Sequence, residues 1–235
     1  MKTVLEHDYS KVRLQMKRIG SLVLFVCLGV AGSMALFGQG ANPELEAALA
    51  YYNRGVANGS AGNYDRAIEN FNQAIRLNPA AALAYYYRGV AYHMKGDFDS
   101  AISDYDQAIR LIPDDSRVYY NRARAYANKG NYNRAISDYT QAIQLDPNDS
   151  DALNNRGIVY GILGEYDRAI SDYDRAIRLN PENSRFYYNR GNAYLAKGAY
   201  DSAIEDFEST LRIAPGFVNA MRNLELARSQ RGDRI

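Results

Sequence analysis

The sequence predicts an all-α fold, an array of five stacked helix-turn-helix repeats closed by a single capping helix. Three observations carry that expectation. The stretch YYNRG at Tyr51–Gly55 returns as YYYRG at Tyr85–Gly89, YYNRA at Tyr119–Ala123, LNNRG at Leu153–Gly157 and YYNRG at Tyr187–Gly191, 34 residues apart each time. Pro79, Pro113, Pro147, Pro181 and Pro215 keep the same period. Small residues and aromatics recur at fixed places between them, in the 3.6-residue rhythm of helices rather than the alternation of strands.

With each proline counted as position 32, the repeats are 48–81, 82–115, 116–149, 150–183 and 184–217. In the first helix of each, positions 4, 8 and 11 share a face, as Tyr85, Gly89 and Tyr92 do in repeat two. In the second helix, positions 20, 24, 27 and 28 do the same (Ala101, Tyr105, Ala108, Ile109). Small residues at positions 8 and 20 let two antiparallel helices approach closely, and the aromatic at position 24 (Phe71, Tyr105, Tyr139, Tyr173, Phe207) fills the space beside them. Gly at position 15 (Gly62, Gly96, Gly130, Gly164, Gly198) ends the first helix. Asp or Asn at position 18 (Asp65, Asp99, Asn133, Asp167, Asp201) is expected to cap the second helix. The proline closes it. One such hairpin is too thin to bury its own apolar face, so neighbours must stack.

Before the array, Asn42-Pro43-Glu44 reads as an N-cap with proline at the first helical position. The array domain is therefore placed at 42–231, and its last segment, 218–231, is expected to be a polar capping helix with Val218, Met221 and Leu224 facing inward. Residues 1–41 read as an address and linker. Ile19 to Phe37 carries no charge and follows Lys17-Arg18. A cleaved secretory signal, with the best cleavage point after Ala35, is the leading reading. An uncleaved anchor holding the array outside the cytoplasm is the second, and a buried helix the third. Met16 offers a conventional signal start. Val26 stands where a lipoprotein signal at Cys27 requires a small residue, which excludes that modification. The array is expected to be extracytoplasmic, in the periplasm, secreted, or tethered to the membrane.

The chain resembles a tetratricopeptide repeat (TPR) protein over residues 48–217, with Tyr51, Tyr85, Tyr119, Leu153 and Tyr187 where that family usually carries Trp. The resemblance implies a right-handed α-α superhelix. The near-consensus repeats behind a short signal are similar to bacterial, often cyanobacterial, TPR proteins, which commonly assist envelope or membrane-complex assembly.

In this frame positions 2, 5, 6, 9, 12 and 13 line a concave groove. Asn at position 6 (Asn53, Asn121, Asn155, Asn189; Tyr87 in repeat two) offers donors and acceptors suited to the backbone of an extended peptide, or else it bonds only to the neighbouring repeat. TPR proteins that bind extended peptides often use Asn at this place. The candidate site comprises Asn53, Tyr86, Arg117, Tyr120, Asn121, Arg124, Asn155, Arg185, Tyr188, Asn189 and Asn192. Its N-terminal half is apolar (Leu49, Val56, Leu83, Val90, Met94) and its arginines lie C-terminal, which fits an elongated ligand with an apolar stretch and an acidic group. The carboxylate clamp of the family does not fit: in repeats three to five only Asn155 and Arg185 match, while Tyr120, Arg124 and Asn189 depart from it. The Arg at position 7 (Arg54, Arg88, Arg122, Arg156, Arg190) reads as an inter-repeat or solvent-facing charge.

The composition points away from catalysis. His93, at groove position 12, reads as a ligand contact or as plain exposure, and Cys27 is the single cysteine. No Walker loop, nucleophile elbow or metal-ligand cluster occurs, and DPNDSD (Asp146–Asp151) has Asp where an EF-hand needs Gly. No cofactor is expected. A net charge of +1 without a basic stripe argues against nucleic acid. The sequence therefore points to a scaffold that binds a protein or peptide partner. The alternative is a structural spacer or self-association module whose groove takes no ligand. The variation at position 9 (Val56, Val90, Arg124, Ile158, Asn192) favours binding.

Overall fold

A computed structural model of the chain describes residues 42–232, and all of their regular structure is helical. The address segment, Cys27 and the alternative start at Met16 lie outside the described residues. Two compact units divide the chain, one ending at Pro113 and the other beginning at Asp114.

The first unit holds α1 (Pro43–Ser60), α2 (Tyr64–Leu77), α3 (Ala82–Lys95) and α4 (Phe98–Leu111), each packed on the next. The second holds α5 (Ser116–Asn128), α6 (Tyr132–Leu145), α7 (Ser150–Ile162), α8 (Tyr166–Leu179), α9 (Ser184–Ala196), α10 (Tyr200–Ile213) and α11 (Val218–Arg231), again each on the next. Within each unit the first helices of successive repeats also touch, α1 with α3, α7 with α9 and α9 with α11. Among the described residues no helix is long and apolar enough to cross a membrane.

The helix ends follow from a few residues. Asn42 caps α1 by accepting from the Glu44 N–H at 3.0 Å, with Pro43 at the first helical position. At position 15 the five glycines take φ between +73° and +83°, a region that L side chains rarely adopt. The next residue's N–H then reaches back five residues, as Asp97 N–H does to Tyr92 O at 3.0 Å, which satisfies a carbonyl at the helix end. Ahead of each proline the chain turns extended; Asn78, for example, has φ −137° and ψ 90°.

Capping differs from the sequence expectation. The second helices begin at position 17, so the position-18 carboxylates lie inside the first turn and cap nothing. They face solvent, where Lys95 pairs with Asp65, Lys197 with Asp167 and Arg231 with Asp201, each joining neighbouring repeats. Asp97 is the one second-helix cap among the described residues, accepting from Ser100 N–H at 3.1 Å. The first helices are capped instead from position 34, by Asp115, Asp149 and Asn183. Asp149 belongs to the DPNDSD loop and accepts from both Asp151 and Ala152 N–H at 2.9 Å.

The core of each hairpin is the contact expected of positions 8, 20 and 24. Ala67, Ala101, Ala135, Ala169 and Ala203 are wholly buried, and so are the aromatics they meet, from Phe71 to Phe207. A Cβ on Gly89 would lie 2.8 Å from Tyr105 Cε1, and one on Gly157 would lie 2.7 Å from Tyr173 Cε1. No side chain fits there unless the ring moves. The last helix departs from the expected face. Ala220, Leu224 and Ala227 of α11 are buried, whereas Val218 and Met221 are exposed, because no second helix among the described residues covers that side.

Gly157→Val drives two methyl groups into the Tyr173 ring and is expected to lower stability by about 1–3 kcal/mol. The measurement is urea unfolding followed by far-ultraviolet circular dichroism. An unchanged midpoint would show that the ring gives way freely.

Candidate protein-interaction surface

The surface is built on an ionic frame. In repeats two to five the position-7 guanidinium grips the position-23 carboxylate of its own second helix with two hydrogen bonds. Arg88 meets Asp104 at 2.8 and 2.6 Å, Arg122 meets Asp138 at 2.7 and 2.7 Å, Arg156 meets Asp172 at 2.8 and 2.7 Å, and Arg190 meets Asp206 at 2.9 and 2.7 Å. All four carboxylates are buried. A remaining N–H crosses to position 25 of the preceding repeat, from Arg88 to Asn72 at 2.6 Å, Arg156 to Thr140 at 2.9 Å and Arg190 to Asp174 at 2.6 Å. The position-7 arginines are thus first an intra-repeat clasp and only second an inter-repeat charge. Burial pushes the Asp104 and Asp206 carboxyls up from the ordinary carboxylate range, while their arginines pull the other way. Hydrogen bonding to Asp206 above all, and then to Asp174, holds Arg190 well above its usual value against the effect of burial. Repeat one lacks this clasp. Asn70 stands at position 23, and Arg54 lies exposed over the Tyr51 ring, 4.7 Å from its centroid.

Position 6 builds a second ladder. Asn155 donates from Nδ2 to the Tyr120 hydroxyl at 2.9 Å, and Asn189 donates to Asn154 Oδ1 at 2.8 Å, each reaching position 5 of the repeat before. Asn223 of α11 continues it, donating to Asn192 Oδ1 at 2.7 Å and to the Tyr188 hydroxyl at 3.4 Å. Asn223 lies 34 residues after Asn189, so the period of the sequence already marks it as a member of this ladder.

Position 5, expected to line the groove, packs against its own second helix. The Tyr86 ring is buried, 6.2 Å from Tyr105, and Tyr120 and Tyr188 lie 5.9 and 6.0 Å from Tyr139 and Phe207 of their own second helices.

The other candidates fall into distinct settings. Asn53 of α1 is exposed, and Asn121 is buried, donating to the Arg117 carbonyl at 2.9 Å. Arg117 folds back on Asp115 with contacts of 2.8 and 2.5 Å, and Arg124 lies over the Tyr120 ring. His93 is buried rather than exposed, with its ring edge-on to Phe98 at 5.2 Å. That leaves α9. There Arg185, Asn189 and Asn192 stand at i, i+4 and i+7 on one half-buried stripe. The Arg185 guanidinium, the Asn189 carbonyl and the Asn192 N–H groups have no partner among the described residues. A cation, an acceptor and a donor in line can hold a carboxylate and read one residue of extended backbone.

Helical hairpins repeated every 34 residues, clasped internally and zipped through their first helices, define a repeat scaffold. The chain belongs to the tetratricopeptide repeat family, whose sequence profiles match residues 52–116 and 161–216, 116–149, and 138–171. Proteins of this family are in general non-enzymatic and bind protein or peptide partners, and this chain is a protein-interaction scaffold.

Among solved structures it is similar to the MamA protein (26% identity, TM-score 0.68, covering 74% of this chain and 95% of that one). YrrB, described as a TPR protein with an unusual peptide-binding site, shares 24% identity at a TM-score of 0.66 (74% and 90% covered). PilF of Pseudomonas aeruginosa shares 19% at 0.71 (82% and 88%). The last two likenesses concern the fold alone. No curated protein is similar enough in sequence to count as a relative.

Asp172→Ala strands the Arg156 guanidinium, whose side chain is only 13% exposed, and is expected to lower stability by about 3–5 kcal/mol. Asp167→Ala removes an exposed partner of Lys197 and should cost less than about 1 kcal/mol. Urea titration of the two variants side by side checks the ranking.

Proposed function

We propose that this scaffold binds an extended peptide segment of a partner protein along the first helices of its second unit, with α9 as the specific reader. The observation that carries the reading is the α9 stripe of unengaged groups, the Arg185 guanidinium, the Asn189 side-chain carbonyl and the Asn192 N–H groups. Tyr120 and Tyr188 extend it with half-buried rings, and the bonds from Asn189 to Asn154 and from Asn223 to Asn192 hold the stripe rigid, so that little entropy is lost on binding. The ligand chemistry that fits is an acidic group at Arg185 beside an ordinary peptide unit.

The reading extends to location. The charge-free run from Ile19 to Phe37 behind Lys17-Arg18 supports export, either as a cleaved signal or as a tether, and with it a role in assembling an envelope or membrane complex. Alkaline phosphatase fused after Ile235 in a bacterial host should be active. An inactive fusion, present at normal amount, would place the array inside.

One observation favours the spacer alternative. The Nδ2 groups of Asn155, Asn189 and Asn223 are already engaged within the array, so the ladder serves stacking even without a ligand. The deciding experiment uses the detergent-solubilised full chain as bait in source-cell envelopes, beside an Arg185→Gln/Asn192→Ala variant of equal helicity. Retention of a protein by the native chain and loss of about tenfold or more with the variant is the expected result. Equal retention would overturn the α9 assignment, and no retention by either chain would favour the spacer.

A further inference from the structure

Stacking between repeats follows one rule in this chain. Positions 3 and 10 of a first helix pack against positions 28 and 21 of the second helix before it, and the position-7 arginine reaches position 25 between them. Ala152 and Phe186 share a cluster with Ile143 and Ile177, Ala193 packs with Ile170, and Ala227 packs with Ile204. Arg156 and Arg190 reach Thr140 and Asp174. Wherever the rule operates positions 3 and 10 are closed, as Ala84 at 0% and Ala91 at 3% exposure are on α3.

Helix α1 carries the same chemistry with nothing described upon it. Ala50, Asn53, Arg54 and Ala57, its positions 3, 6, 7 and 10, are all exposed. The two alanines leave the surface flat enough for a helix to lie close. Arg54 is short of a carboxylate twice over. Among the described residues no preceding helix supplies position 25, and its own position 23 is Asn70, whose side-chain N–H goes to the Arg66 carbonyl at 2.6 Å. The Tyr51 ring beneath props the guanidinium. The other end of the chain is built differently: α11 has Leu224 at position 7 and exposed Glu225 and Arg228 on its outer side.

We propose that the open face of α1 is a docking site for an amphipathic helix of a partner protein that carries Ile or Leu at i and i+7 and a carboxylate at i+4. The apolar residues seat on Ala57 and Ala50, and the carboxylate takes the Arg54 fork. The chain itself supplies the template, since Ile170, Asp174 and Ile177 of α8 present this pattern to Arg190 and Ala193 of the next repeat. Charge complementarity selects the occupant, because a helix with a neutral apolar residue at i+4 would bury Arg54 without a partner. This site is separate from the α9 stripe.

The test uses a fluorescently labelled peptide of residues 165–180 and the full chain in detergent, read by anisotropy. Saturable binding is expected. It should weaken by about tenfold with Arg54→Gln or with Asp174→Asn in the peptide, vanish with Ala57→Arg, and remain unchanged with Arg185→Gln. Arg54 and Ala57 are exposed, so these variants should fold, and their circular dichroism confirms it. Absence of saturable binding overturns the proposal, as does binding indifferent to Arg54→Gln and Ala57→Arg. Binding lost with Arg185→Gln would assign the peptide to the α9 stripe and equally overturn it.

Discussion

The architecture depends on how closely two helices of one repeat can approach. A small residue at position 8 admits the position-24 aromatic, and in the four repeats with glycine there the ring lies where a Cβ would stand. At that separation the first helix lies within reach of the second, so a guanidinium on one can close on a carboxylate of the other. A wider hairpin would leave the arginine solvated and the carboxylate out of range. The clasp then fixes the guanidinium plane, which is why its remaining N–H can point to the preceding repeat. Packing therefore determines the electrostatics, and the electrostatics orient the interface between repeats.

Much of this order was legible in the sequence because the repeat shows each requirement several times. Five glycines at one register imply a backbone that needs φ above zero, and five prolines imply an extended residue before each. Both hold at every repeat. What escaped was pairwise. Asp at position 23 follows Arg at position 7 by sixteen residues in four repeats, a correlation between two columns rather than a pattern within one. The position-18 carboxylates look like caps because they stand near a helix start, yet the helix begins one residue earlier and turns them outward to a lysine or arginine thirty residues ahead. Val218 and Met221 look inward-facing by analogy with internal repeats, but among the described residues no second helix follows α11 for them to face.

The candidate site was legible as a set of positions but not as a set of free groups. Composition told that Asn and Arg gather on the first helices. Only the hydrogen bonds distinguish Asn155, engaged through both its groups, from Asn192, which keeps its N–H groups available. Tyr86 shows the same limit from the apolar side, since a residue in a lining position can still be spent on its own core. A repeat surface reads uniformly along the sequence and is uneven in its chemistry.

The acceptors at position 25 make the joints of the second unit unequal. Arg156 meets the neutral hydroxyl of Thr140, whereas Arg190 meets the carboxylate of Asp174. Both bonds are charge-assisted through the arginine, and the second adds the attraction of an opposite charge. In a quasi-one-dimensional array, stability is a sum of unit terms and nearest-neighbour couplings. Of the two arginine-bridged seams, that between repeats three and four then opens first, and repeats four and five form the longer-lived block. The α9 stripe sits inside that block.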